Sequence, residues 1–492
     1  DADRDCDGAT LNSARPISVL YVASEIFPLI KTGGLADVAG SFPKALSALD
    51  IDVRIFIPGY PAVIRQCSDM HRLSEINLLG QRAEICAASL GELKLLIFKC
   101  DALFDRAGGP YCDDTGNEYH DNWRRFSAFS QAAAIIAKDG IGNWCPSVVH
   151  LNDWQTALTP SYMKALDCNT PTVLTIHNLA FQGQYGCEVF EGLGLPAKYL
   201  SLDCLLHYGD VSFLKAGITQ SSCVTTVSPT YAREICLDQH GMGMAGVLRS
   251  RESSFQGIVN GVDDAIWDPE CDNLLPVNYS ADTLEMRSKN RNFLERQFGF
   301  QEDAGPIIGV VSRITWQKGL DLLECVARHI VNQGGRLVVM GEGDLSITNT
   351  LLKTVRDHSG RVAVQIGYSE ATAHLMHAGC DIILQPSRFE PCGLTQLYAL
   401  KYGAIPIVGR TGGLAETVVE ANEAALSTHS ATGFKFTPGS ISDLEDAISH
   451  AFKIYNDKNS WRSMQRQAMK TDFSWKRSAE QYKTLYKNLT DG

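Results

Sequence analysis

No apolar run in the 492 residues approaches the roughly 18 needed to cross a bilayer as a helix, so no membrane partner is expected. Basic excess is missing as well. The 44 Lys and Arg stand against 56 Asp and Glu, a net charge of −12, which argues against nucleic acid as a partner because a phosphate backbone needs a cationic footprint. A neutral or small anionic ligand stays open, since a local basic cluster can sit in an acidic protein. The 15 cysteines are odd in number and contain no C-x-x-C pair, which fits free thiols in a reducing compartment better than a disulfide framework or a zinc site. D-x-D clusters are confined to the first residues and to Asp50-Ile-Asp52, which runs into a strand, and neither reads as a metal site. Collagenous or low-complexity composition is absent too: hydrophobic residues at 45% and charged residues at 20% are globular values. A chain of 492 residues exceeds one ordinary core, so more than one domain is expected.

Alternation of short apolar runs with amphipathic segments is what the sequence does contain. Residues 1–16 are polar and begin with Asp1, and are expected to form a flexible lead, either a cut end or the remnant of a removed targeting segment. From there Ile17–Val22, Val53–Ile57, Val148–Leu151, Val173–Ile176 and Cys223–Val227 read as buried parallel strands. A polar interval from Asp263 to Gly305 separates them from a second series, Ile307–Val311, Leu337–Met340, Val362–Ile366, Ile382–Leu384 and Ile405–Val408. Helical patterns between strands predict two doubly wound α/β units, over 17–262 and 263–473, followed by an amphipathic helix over 474–492 that packs back on the body.

Chemistry-bearing residues cluster at the carboxyl ends of these strands, where open α/β sheets bind ligands. The stretch Ser387-Arg-Phe-Glu-Pro-Cys-Gly-Leu-Thr-Gln396 follows one strand and opens a helix. As a first helical turn, the N–H groups of Gly393, Leu394 and Thr395 form an anion site, with Glu390 just ahead of it to touch what the anion is attached to. That pairing suggests a phosphorylated substrate with a hydroxyl-rich end. Lys31-Thr-Gly-Gly-Leu-Ala-Asp37 offers a second approach, with Gly33 and Gly34 admitting a ligand to the backbone and Lys31 supplying charge. Arg313 and Lys318 place two cations after the first strand of the second unit. Thr411–Ala415 echoes Thr32–Ala36.

Taken in order, Lys31–Asp37, His177-Asn-Leu-Ala-Phe-Gln-Gly183, Ser312-Arg-Ile-Thr-Trp-Gln-Lys-Gly319 and Ser387–Gln396 resemble bacterial glycogen synthases and plant starch synthases, from about residue 17 onward. The resemblance implies a GT-B fold: two Rossmann-like domains facing across a cleft, the last helix crossing back to the first. It implies retaining transfer of glucose from ADP-glucose to the non-reducing end of an α-1,4-glucan or maltooligosaccharide, with the first domain on the acceptor side and the second binding the nucleotide. It implies no cofactor and no metal, the diphosphate being gripped by Lys31, Arg313, Lys318 and the turn at Gly393, Leu394 and Thr395. Glu390 falls on the glucose hydroxyls, His177 beneath the ring, and Tyr368 against the adenine. Asp153, Trp154, Asn260 and Cys392 fall near donor glucose or acceptor, and a plastid stroma or a bacterial cytoplasm is the implied location. One position departs from the wider superfamily of retaining transferases, where a second Glu often follows the first after seven residues: here it is Tyr398.

Three rival readings are weaker. A dinucleotide oxidoreductase needs a third glycine that Gly341-Glu-Gly343 lacks. A glucan phosphorylase would carry pyridoxal, and its motifs are not matched. A glucan-binding or initiation scaffold with little turnover is opposed by the presence together of Lys31, Arg313, Lys318 and Glu390.

Overall fold

The computed structural model describes residues 16–301, 303 and 305–491; the expected lead over 1–16 lies, but for its last residue, outside them. Strands β1 (Ser18–Val22), β2 (Asp52–Pro58), β3 (His71–Leu78), β4 (Gln81–Leu90), β5 (Leu93–Lys99), β6 (Val148–Asn152), β7 (Thr172–Ile176), β8 (Gln184–Gly186), β9 (Leu206–His207), β10 (Asp210–Ser212), β11 (Cys223–Thr226) and β12 (Phe255–Gly257) belong to the first half. The second half holds β13 (Ile307–Val311), β14 (Arg336–Gly341), β15 (Val362–Ile366), β16 (Ile382–Gln385), β17 (Ile405–Gly409) and β18 (Phe434–Phe436). A nine-stranded sheet runs β12-β11-β7-β6-β1-β2-β5-β4-β3, and a six-stranded sheet runs β15-β14-β13-β16-β17-β18. All pairs in the second sheet are parallel, as are those of the first from β12 to β5. The central strands β6 and β7 are buried along their whole length, which is why they read as unbroken apolar runs.

Two features go beyond the sequence reading. An antiparallel meander, β3-β4-β5, extends one edge of the first sheet, and its outermost strand is largely exposed and polar. A small antiparallel sheet, β8-β10-β9, stands apart from both. The edge strand β3 and the short strands of the small sheet lack the buried run that marks the parallel strands, whereas β5 carries one, Leu95–Phe98, that the sequence reading did not include.

The halves are joined twice, and the two crossings touch. Val262 pairs with Ser474 as a parallel bridge, and an added Cβ on Gly261 would lie 2.6 Å from the Trp475 backbone, so this approach needs a residue without a side chain. Beyond it the helix Trp475–Thr490 packs on the first half, as its amphipathic pattern predicts. Trp475 Nε1 donates to Ser41 Oγ at 2.8 Å, and its ring lies 4.9 Å from Phe42. Tyr486 OH meets His150 Nδ1 at 2.5 Å, while His150 Nε2 meets Thr175 Oγ1 at 2.7 Å beneath the sheet. Burial holds the His150 pKa down at about 3, so this network is neutral.

Trp475→Ala removes a buried indole and its hydrogen bond, an expected loss of about 3–5 kcal/mol. Thermal unfolding should show a clearly lowered midpoint; an unchanged midpoint would mean the last helix does not anchor the first half.

Candidate functional site

In the second half, the segment after β16 turns through Ser387–Leu394 into the helix Thr395–Tyr402. The expected first turn is shifted: the helix starts at Thr395, Leu394 is its N-cap, and Gly393 precedes it with a left-handed φ of 72°. Leu394 has no capping side chain to offer, so the N–H groups stay open. Among the described residues, no protein acceptor serves the N–H of Gly393, Leu394 or Thr395. Gln396 Nε2 fixes the loop beneath them, donating to Cys392 O at 2.9 Å and Gly393 O at 3.0 Å. The second Gly-Gly pair has a packing role. An added Cβ on Gly412 would lie 1.9 Å from Glu390 O, and one on Gly413 2.2 Å from Cys392 O, so these glycines let two backbones meet rather than admit a ligand.

Glu390 is buried, and its Oε2 is contacted by the Lys318 ammonium and by Ser387 Oγ at 3.2 Å. The sequence assigned these two charges to different ends of a ligand; the structure pairs them directly. Arg388, which the sequence reading passed over, clasps the two motifs together. Its guanidinium takes Asp321 bidentately at 2.7 and 2.8 Å, donates to Trp316 O at 2.6 Å and stacks 4.4 Å from the Trp316 ring. Its backbone N–H donates to Gln317 O at 2.9 Å. Arg313 is exposed and has no ion pair among the described residues.

In the first half, the loop ahead of the helix Gly34–Ser47 is shaped by Glu25, another residue the sequence reading missed. This buried carboxylate accepts from Thr32 N and Thr32 Oγ1 at 2.6 Å each, from Gly33 N at 3.3 Å and from Tyr111 OH at 2.6 Å. Its position just past the carboxyl end of β1 was the available signal. The N–H groups of Gly34 and Leu35 find no acceptor among the described residues. Lys31 Nζ pairs with Asp37 at 2.8 Å.

Asp153 stands at the carboxyl end of β6 with φ 57° and ψ −173°, a conformation costly for any residue but glycine. Its Oδ1 accepts from His177 N at 2.7 Å, and Asn178 N–H adds a second bond. Burial nevertheless pushes the Asp153 carboxyl up to about 7. His177 Nε2 bonds Asn152 Oδ1 at 2.8 Å, an atom that also accepts from Tyr21 OH. Asn152 Nδ2 donates to Val22 O, which fixes the amide orientation, so His177 carries its proton on Nε2 and burial holds its pKa at about 3. Trp154, next in the chain after Asp153, is largely buried. Its indole is 8% exposed, packed 5.2 Å from Phe126 and 6.1 Å from Phe213, and Gly183 is the gap that admits it. It packs against the core of the first half.

The two halves close on each other along this cleft. Lys31 Nζ lies 5.5 Å from the centroid of the half-exposed Tyr368 ring, a cation–π contact between halves. An added Cβ on Gly34 would come within 3.8 Å of Leu394 Cδ1. The buried Cys392 thiol, pushed up to about 12 by burial, accepts from the N–H of buried Asn260. Two helices also cap each other reciprocally. Glu234, in the helix Pro229–Ile235, accepts from Gly412 N at 3.0 Å; Glu416, in the helix Gly412–Thr417, accepts from Ser228 Oγ at 2.7 Å and Thr230 N at 3.1 Å. Each carboxylate meets the positive end of the other helix.

The chain matches the starch synthase catalytic domain family over residues 18–250 and the glycosyl transferases group 1 family over residues 291–468. It is 49% identical to a glycogen synthase of Rhizobium rhizogenes over 475 residues, 96% of this chain and 99% of the relative. Glycogen synthase 1 of Rhizobium meliloti is 49% identical over 476 residues, with the same coverage. Among solved structures, the catalytic domain of starch synthase IV from Arabidopsis thaliana bound to ADP and acarbose superposes with a TM-score of 0.89 at 29% identity, covering 97% of this chain and all of that one. Sucrose-phosphate synthase from Thermosynechococcus elongatus shares the fold, with a TM-score of 0.59 at 18% identity over 96% of this chain and 99% of that one.

The backbone at Asp153 yields a stability test. Asp153→Ala loses the bond to His177 N–H and keeps the strain, whereas Asp153→Gly loses the bond alone. The Gly variant should be the more stable by about 1 kcal/mol in thermal unfolding. Equal midpoints would show that Asp153 is not strained.

Proposed function

The chain belongs to the glycogen and starch synthase family, and from that premise we propose how it moves glucose from ADP-glucose to the non-reducing end of an α-1,4-glucan. The observation that supports this most is the Glu390–Lys318 pair beside the open N–H groups of Gly393, Leu394 and Thr395. It sets a carboxylate and a cation side by side where a sugar meets a phosphate.

Breaking the bond between glucose C1 and the β-phosphate oxygen leaves negative charge on ADP and positive charge on the sugar ring. Arg313 and Lys318 receive the first, together with Lys31 from the opposite half and the turn at residues 393–395. Lys318 exchanges part of its contact with Glu390 for the phosphate as that charge grows. Glu390 serves the sugar. Two donors already hold its Oε2, which suits hydroxyl orientation and charge stabilisation better than covalent attack. His177, kept neutral by burial, adds no positive charge beneath a ring that is itself becoming positive. Asp153 and Asn260 lie on the sugar and acceptor side with Cys392. Tyr368 offers its exposed ring to the adenine.

The acceptor glucan is assigned to the first half, 17–262, and the nucleotide to the second, 263–473. The starch synthase IV structure, bound to ADP and acarbose, favours the same pair of ligand classes. The bacterial relatives favour a bacterial cytoplasm over the plastid. No metal or other cofactor is assigned, because the side-chain cations and the helix turn suffice for a diphosphate. Among the described residues no helix is long and apolar enough to cross a membrane.

Incubation with excess chelator should therefore leave the transfer rate nearly unchanged; collapse with rescue by magnesium or manganese would refute the metal-free assignment. Substitutions separate the two ends of the donor. Lys318→Ala should lower turnover and weaken ADP binding by about 1.5–3 kcal/mol, one to two decades. Glu390→Gln should lower turnover as strongly yet leave ADP affinity near wild type, because ADP has no sugar and Lys318 is released to the phosphate. Calorimetric titration with ADP and steady-state rates on folded variants read both. Equal losses of ADP affinity would place Glu390 on the wrong end.

A further inference from the structure

The segment joining the halves carries an indole, Trp267, stacked between two rings of the second half. His374 lies 3.8 Å away at 18° and Tyr398 3.8 Å away at 5°. The aromatic side chain that stands where related transferases carry a second Glu thus has a structural partner. His374 belongs to the helix Glu370–Gly379, which begins two residues after Tyr368. It is 1% exposed and sits between two carboxylates. Its Nδ1 is 2.6 Å from Asp272 Oδ2, an atom that also accepts from Tyr402 OH at 2.6 Å. Its Nε2 is 3.4 Å from Glu370 Oε1, an ion-pair contact rather than an aligned hydrogen bond. The other Glu370 oxygen accepts from Tyr368 OH at 2.8 Å. Two hydrogen bonds and one ion-pair contact thus link Asp272, His374, Glu370 and Tyr368, from the interdomain segment to the ring assigned to the adenine.

A neutral imidazole has one N–H and can serve one of these carboxylates; an imidazolium serves both. Burial opposes the charge, but the bond to Asp272 and the nearby charges of Asp272 and Glu370 outweigh it and raise the His374 pKa above its ordinary value. The other groups packed around it do not supply that charge. His377, one turn on, is held down at about 4 by burial, with Arg287 and His374 itself adding to the effect, and the Tyr402 hydroxyl is pushed far above neutrality. Across the cleft, Glu370 feels Asp37 of the first half, whose carboxyl is raised by burial and by Glu370, with Lys31 as the intervening cation.

We propose that His374 is a positioning residue for the nucleotide end of the donor site: as a cation it holds Glu370, and through it the Tyr368 ring, against the closed cleft. Without that proton, Asp272 and Glu370 lose the charge between them, Glu370 keeps Lys31 as its cation from the other half, and the carboxylate that holds the Tyr368 hydroxyl is less firmly placed. The stabilising contact is complete below the ordinary histidine pKa and is lost as pH rises through the raised folded-state value. This rests on the donor reading of Tyr368 given above.

The test is the pH dependence of KM for ADP-glucose and of kcat between pH 6 and 9, on wild type and His374→Gln. ADP-glucose is the probe because its diphosphate, esterified at both ends, does not titrate in that window, whereas the terminal phosphate of ADP does. Wild-type KM should rise about fivefold towards pH 9 with kcat nearly constant. His374→Gln should show the raised KM at every pH, and Glu370→Gln should move the wild-type midpoint to lower pH. Titration from Asp153 persists in His374→Gln and is separated by that comparison. Should the variants fail to fold, the wild-type KM profile and the titration of the His374 ring signal, with a midpoint above 6.5, carry the test. A flat wild-type KM, a His374→Gln profile with the wild-type slope, or a kcat that changes in step with KM overturns the proposal. Tyr368→Ala at pH 7 separates the layers: unchanged KM there overturns the donor reading itself, while raised KM with a flat wild-type profile overturns the role of His374 alone.

Discussion

A carboxylate and an ammonium held together out of water set the terms for the rest of this molecule. Glu390 is 7% exposed, and leaving it without Lys318 would strand a buried charge at a cost of several kcal/mol. Much of the surrounding architecture keeps that pair in place. Arg388 ties the loop of Lys318 to the loop of Glu390, Gln396 braces the carbonyls below, and Gly412 and Gly413 bring a second helix entry against the same backbone. A ligand that brings its own phosphate and its own hydroxyls can divide the pair, the phosphate drawing on Lys318 and the sugar on Glu390. In the proposed mechanism, binding and the chemical step share one electrostatic device.

Closure of the cleft follows from the same requirement. A diphosphate held only by the second half would leave Lys31 and the N–H groups of Gly34 and Leu35 unused. The contacts that bring them near are charged but partly open: Lys31 over Tyr368, and the two reciprocal helix caps at Glu234 and Glu416. Such contacts are each worth little in water. By contrast the permanent join, at Gly261, Trp475 and the neutral His150 network, is buried. Buried packing at the crossing with polar contacts at the mouth is the distribution expected if the halves hinge about the crossing.

The sequence made the parallel strands legible because burial on both faces writes them as apolar runs, and it made the site legible because its residues follow those strands. The fold pairs Lys318 with Glu390 and brings Gly34 of the Lys31–Asp37 loop near Leu394. The edge strand β3 was hidden because an exposed antiparallel edge mixes polar and apolar residues like any solvated surface, whereas β5 carries a buried run, Leu95–Phe98, that was legible and was not read. Glu25 and Arg388 were hidden for another reason: each acts on backbone atoms of a neighbouring loop, a partnership that only the folded chain displays. Trp154 packs against Phe126, Tyr185 and Phe213, contacts that again only the folded chain displays.

Initial rates of glucose incorporation into a maltooligosaccharide, with ADP-glucose and UDP-glucose compared on wild type and Glu390→Gln, test the central claim most directly. The account predicts elongation at the non-reducing end by the wild type, faster from ADP-glucose, and near loss of transfer from either donor in the variant. Folded wild type that elongates with neither donor, or a Glu390→Gln enzyme as fast as wild type, would contradict it.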